Sequence, residues 1–217
     1  GHADLAARMD SYELAYRMQM KVPGILDLGQ EKEATRAAYG LNDNRTKDFG
    51  RRLLLARRLL ERGVRFVQAY TAGWDSHDYL GKSHSERIRS VDQPIAALLK
   101  DLKQRGMLED TLVICGGEFG RTIYSQGSLT KDNHGRDHHG RCFTMWMAGG
   151  GIRKGHVHGE TDDFSYNIVR DPVHINDLNA TVLQCLGIDH ERFTYRYQGL
   201  DQRLTGVQGA RVVNEIL

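Results

Sequence analysis

The chain has 217 residues, 40% of them hydrophobic and 27% charged, a globular profile that excludes disorder and collagen-like repeats. Thirty basic residues against 28 acidic ones give a net charge of +2, too balanced for a nucleic-acid binder. No apolar run approaches the roughly 20 residues that a membrane-crossing helix needs.

The first element is helical: Leu5, Met9, Tyr12 and Tyr16 keep a three-to-four spacing to about Lys21, and Pro23-Gly24 should close it. No basic-then-apolar leader pattern opens the chain, which suits an internal stretch of a longer protein and equally a cleaved one. A second helix is expected over about 44–62 with Gly63 as its stop, its Arg51, Arg52, Arg57, Arg58 and Arg62 forming a solvated face opposite Leu53, Leu54 and Leu60. Val64–Tyr70 (VRFVQAY) reads as a strand. Ile88, Val91, Ile95, Leu98 or Leu99, and Leu102 trace one face of a helix that Gly106 ends. Thr111–Cys115 (TLVIC) and Phe143–Ala148 (FTMWMA) read as buried strands that run into Gly116-Gly117 and Gly149-Gly150-Gly151. The last helix carries Ile175, Leu178, Val182 and Leu186, with His174 at its start and Gly187 after its end. Apolar strands separated by amphipathic helices predict an α/β fold, a mostly parallel sheet flanked by helices. In that reading a helical segment over 1–62 packs on the α/β portion over 63–217. The cysteines at 115, 142 and 185 match neither a disulfide framework nor a Cys-x-x-Cys zinc module, and read as core residues.

In open parallel sheets, ligands bind beyond the carboxyl ends of the strands. The segments there are rich in carboxylates and imidazoles: GWDSHDYL offers Asp75 and His77, GGEFGRT offers Glu118 and Arg121, and NHGRDHHGR offers Asp137, His138 and His139. Six of the ten histidines lie between residues 134 and 174. Asp, Glu and His together are the ligand set of hydrolytic metal sites, so these six side chains are the candidate metal ligands, and the Arg121 guanidinium is placed to clamp an anionic phosphate or sulfate. Competing readings are plain: a solvated loop histidine at position 77, and an ion pair with Arg121 at Glu118. The triple glycine carries no phosphate-loop lysine and reads as a turn.

The runs WDSH, GGEFGRT, GRDHH, FTMWMAGGGIRKG, HINDLNATVLQCLGIDH and YRYQGLDQRLT are spread between residues 74 and 205, and the resemblance they carry covers essentially the whole chain. They resemble the sulfatase-like family called domain of unknown function 1501, placed in the alkaline phosphatase superfamily, and specifically its C-terminal portion. The resemblance implies an alkaline-phosphatase-like or sulfatase-like partial domain that binds divalent metal, zinc or manganese first and calcium as the alternative. It implies hydrolysis of an anionic phosphate or sulfate ester. Asp75 and His77 then look like the aspartate–histidine pair of one metal site, Glu118 like the carboxylate after the central strand, and His138 or His139 like the late histidine. Three positions depart from the superfamily pattern. Phe119 stands where a metal-binding histidine is usual, Asp75 and His77 are two apart rather than four, and Thr71, Ser76 and Thr122 do not match the nucleophile's motif.

The resemblance also implies a missing N-terminal half that carries the nucleophile, and an exported or periplasmic setting. A sheet lacking that half would leave an edge exposed, which a homodimer is one way to cover. The alternative function is non-catalytic: a pseudoenzyme or an anion- or glycan-binding module on the same scaffold.

Overall fold

A computed structural model describes residues 2–118, 120–125, 127 and 129–217. The chain forms two compact units: one holds the residues up to Trp74 together with His84–Asp101, the other Asp75–Ser83 and Leu102–Leu217.

The first unit is helical. Helix α1 spans His2–Leu26 and runs through Pro23 rather than stopping at it. A proline inside a helix removes one hydrogen bond to the residue four back and leaves its own carbonyl usable; here the Pro23 carbonyl accepts from Asp27 N at 3.1 Å. The apolar side chains Leu5, Met9, Tyr12 and Tyr16 stand exposed. A short helix α2, Glu33–Ala38, leads to α3, Lys47–Glu61. The expected stop after α3 is found: Gly63 takes a φ of +83°, which a side chain would oppose. Residues 64–70 join no ladder, so the strand expected there is absent. Helix α4 spans Leu80–Gln104, and its middle part belongs to this unit.

The arginines of α3 are not all a solvated face. Arg57 and Arg58 are buried, and each is consumed by carboxylates or carbonyls. Arg57 pairs with Glu31 (2.7 Å), Glu61 (2.6 Å) and Asp101 (3.0 Å). Arg58 donates to Glu31 (2.5 Å) and to the Gly24 and Ile25 carbonyls at 2.7 and 2.8 Å, closing the end of α1. The Tyr39 hydroxyl donates to Asp101 at 3.0 Å, and with Leu54 it lies at the bottom of the core.

The second unit carries the strands, all short. In chain order they are β1 (Val113–Cys115), β2 (Gly120–Arg121), β3 (His138–His139), β4 (Trp146–Ala148), β5 (Glu160–Thr161) and β6 (Ile168–Arg170), then helix α5 (Ile175–Cys185), β7 (Thr194–Tyr197) and β8 (Leu200–Arg203). They pair two by two, β1 with β4, β2 with β3, β5 with β6 and β7 with β8, and every pair is antiparallel. The expectation of a mostly parallel α/β sheet is therefore wrong for the described residues. A parallel pair needs a crossover connection, usually a helix, whereas among the described residues the stretch between β1 and β4 carries only the β2–β3 ladder. TLVIC and FTMWMA do form strands, but with each other. They are also half-exposed rather than buried on both faces.

Helix α5 begins as expected at His174. The Asn176 N–H donates to His174 Nδ1 at 3.1 Å, and His174 N–H donates to Asp177 at 3.0 Å. Thr181, fully buried, accepts from Val213 N at 2.9 Å and so ties the C-terminal stretch to α5. No described helix is long and apolar enough to cross a membrane.

Candidate functional site

Two segments of the second unit build the site. One is 75–80, the other 133–139. They are laced together by backbone and by one side chain: Leu80 N donates to the His134 carbonyl (2.9 Å), Arg136 N to the Ser76 carbonyl (3.1 Å), and Tyr79 N to Asn133 Oδ1 (2.9 Å). Asn133 Nδ2 returns a bond to Asp78 at 3.0 Å. Between them Gly135 sits so close to His77 that a Cβ would fall 1.8 Å from the His77 carbonyl oxygen and 2.0 Å from its carbon. Only a residue without a side chain fits there. Asn133 and Gly135 are positioning residues that the sequence did not single out; both lie in the histidine-rich loop, but their neighbours are known only from the fold.

The β2–β3 ladder adds the rest. Its register puts Arg121 opposite His138 and Gly120 opposite His139. Cross-strand partners share a face, while successive residues point to opposite faces. That alternation separates the two histidines. His138 reaches Asp75, its Nε2 2.9 Å from Oδ1. His139 is buried on the other side, stacked on Tyr166 with its Nε2 2.7 Å from the Tyr166 carbonyl.

At the centre is Asp75 Oδ1. Arg121 Nη1 donates to it at 2.6 Å, His138 Nε2 lies at 2.9 Å and His77 Nε2 at 3.0 Å. The two rings stack, centroids 5.2 Å apart and 16° from parallel. Behind His77, its Nδ1 is 3.0 Å from Oδ1 of the buried Asp137. Both ring nitrogens of His77 therefore face carboxylate oxygens, Nδ1 that of Asp137 and Nε2 that of Asp75, and the ring is fixed between them. Asp137 is held in turn by Thr122, which accepts from Asp137 N at 3.0 Å and whose N–H donates to the Asp137 carbonyl at 2.9 Å. The hydrogen bond from Arg121, followed by that from His138, holds the Asp75 carboxyl down at about 2.

Of the sequence-predicted ligands, Asp75, His77 and His138 offer donor atoms that all lie within 4.8 Å of one another. Glu118, Asp137 and His139 are not in that group. Glu118 is exposed, 3.5 Å from Arg121 Nη2, Asp137 stands behind His77, and His139 faces away. Phe119 lies outside the described residues. Ser76 and Thr122, the hydroxyls nearest in sequence, are buried and engaged: Ser76 Oγ with Ser83 at 3.0 Å, and Thr122 Oγ1 with the Tyr124 carbonyl at 2.5 Å. All three cysteines are free thiols that burial pushes up from their ordinary value.

Fold and site together define a chain of helices and short antiparallel strands whose loops bring two imidazoles and a carboxylate within 4.8 Å of one another, a candidate metal cluster. The chain belongs to the family described as protein of unknown function, DUF1501, whose model matches residues 1–217. No curated protein and no solved structure matches it.

Proposed function

We propose that this protein is a divalent-metal-dependent hydrolase of phosphate or sulfate esters, with Asp75, His77 and His138 as the residues that would hold the ion. The observation that carries this reading is the His77 ring, oriented from behind by buried Asp137 so that its other nitrogen meets Asp75 and His138. Histidine metal ligands typically give their second ring nitrogen to a carboxylate in this way. Placement beside sulfatases and alkaline phosphatases is part of the proposal; it rests on the WDSH, GGEFGRT and GRDHH runs and not on sheet topology.

The donor set fits such an ion. Two imidazole nitrogens and one carboxylate oxygen suit zinc or manganese, and ferrous iron as well, whereas calcium takes six to eight oxygens. Three protein donors leave positions open, and Asp75 is exposed enough for a substrate to approach. A divalent ion there would polarise an ester oxygen and lower the pKa of an adjacent water toward about 7. The chain's own residues supply the rest: His77 is fixed by Asp137, Asp75 stays ionised, and Arg121 is the cation for the transferring group. The Ser76 and Thr122 hydroxyls are engaged in hydrogen bonds, and the proposal assigns the attack to neither of them.

The test is turnover of aryl phosphate and aryl sulfate with zinc or manganese added, and after chelation. Metal-dependent release of the phenol that vanishes in Asp75→Ala is the expected result. A protein that binds metal yet hydrolyses neither ester contradicts it. That outcome would support the non-catalytic pseudoenzyme reading, which is favoured by the pairing of Arg121 with carboxylates on both arms.

A further inference from the structure

Arg121 holds the carboxylate oxygen that a metal would need. Its Nη1 donates to Asp75 Oδ1 at 2.6 Å, the shortest of the three contacts that oxygen makes, and its Nη2 lies 3.5 Å from Glu118. The side chain is only 19% exposed, so the guanidinium is held between the two carboxylates and not spread over the surface. Asp75 Oδ1 is at once the acceptor of Arg121 and one of the three donor atoms that converge for a cation.

We propose that Arg121 is the resident counter-cation of Asp75 in the metal-free protein, that a divalent ion displaces it, and that the displaced guanidinium is what then binds the anionic group of the ester. The proposal rests on the metal reading above and adds an order: cation first, anion second.

Charge favours that order. With neutral rings, the groups paired into the cluster are Asp75, Glu118 and Asp137 against Arg121, three negative charges and one positive, a net of −2. An anion meeting that cluster is repelled, and Arg121 has no reason to leave its carboxylates. A dication brings the sum to zero, which removes the repulsion, takes over the neutralisation of Asp75, and frees a planar donor fork that matches a phosphate or sulfate face. Arg121 is positioned for the transfer by its strand: directly across the β2–β3 ladder from His138, it moves from one ligand's neighbour to the substrate's side without leaving the site.

Two opposed effects of Arg121 on metal affinity make this testable. As a competitor and a like charge it weakens cation binding; as a mere support for Asp75 it would strengthen it. Titration of the full 217-residue chain with zinc, followed calorimetrically, separates the two. Arg121→Gln is expected to bind zinc about tenfold more tightly than the parent, Arg121→Lys to stay near the parent because the charge remains, and inorganic phosphate to bind the zinc-loaded parent but neither the metal-free parent nor zinc-loaded Arg121→Gln. Weaker zinc binding by Arg121→Gln, with folding unchanged by circular dichroism, overturns the proposal and leaves the metal reading standing. Equal phosphate binding with and without zinc overturns it too. A parent chain that takes up no zinc or manganese at all overturns the metal reading and this proposal with it.

Discussion

Asp137 is the sharpest place to perturb the site, because its carboxylate meets the candidate centre at His77. Asp137→Asn keeps the shape and an acceptor oxygen 3.0 Å from His77 Nδ1, and the Thr122 bonds hold the backbone, so what is removed is one negative charge. A hydrogen bond to a charged group contributes roughly 1.5–3 kcal/mol against about 1 for a neutral pair, so the ring loses about 1–2 kcal/mol of orientation and basicity. Every 1.4 kcal/mol is tenfold, so metal affinity should fall roughly 5- to 30-fold, within the ~10–100-fold seen when such supporting carboxylates are changed. The thermal midpoint without metal should drop by only about 2–6 °C on the usual scaling for a chain of this size. Competition titration of zinc against a chromophoric chelator reads the affinity directly. Parent-like affinity in a folded Asp137→Asn chain would mean that the carboxylate does not set the ring, and the case for His77 as a ligand would lose its support.

Other outcomes follow from the same structure. Gly135→Ala forces a Cβ against the His77 backbone and should lower metal affinity at least as far as Asp137→Asn, while the helical content read by circular dichroism changes little. In the first unit, Arg57→Met leaves Glu31, Glu61 and Asp101 without their shared cation; breaking such a buried pair costs about 3–5 kcal/mol, a drop in melting temperature on the order of 10 °C. Glu31 gives the pH dependence. Burial raises its carboxyl, but the bonds and charges of Arg57 and Arg58 outweigh that and set it below its ordinary value. Its contribution is therefore complete above about pH 4.5 and is lost as pH falls through the lowered value, so Glu31→Gln should flatten the acid limb of a stability-versus-pH curve and leave its neutral part less stable throughout.

The helices were legible in the sequence because their signals are local. Apolar spacing and a following glycine locate α3, α4 and α5, and Gly63, Gly106 and Gly187 all adopt positive φ at the helix ends. Pro23 misled because one lost hydrogen bond does not end a helix whose last turn is capped from outside by Arg58. Sheet direction was not legible, since an apolar run such as TLVIC looks the same whichever way its partner runs. The absence of a helical pattern between residues 116 and 142 was the available clue against a parallel pair. In the site, residue types pointed to Asp75, His77 and the His138-His139 pair. The choice between the two histidines waited on strand alternation, and the reassignment of Asp137 and Glu118 waited on which side chains the loops bring together. Arginine burial was likewise invisible: Arg57 and Arg51 stand in the same charged run, and only tertiary partners distinguish them.

The claim at the centre of this reading is that one divalent ion is held by Asp75, His77 and His138. Metal content by plasma mass spectrometry, after loading with zinc or manganese and desalting, tests it on the parent chain, on Glu118→Gln and on the His77→Ala/His138→Ala double variant. About one equivalent in the first two and none in the third is the expected pattern. Equal retention in all three, or none in the parent, contradicts it.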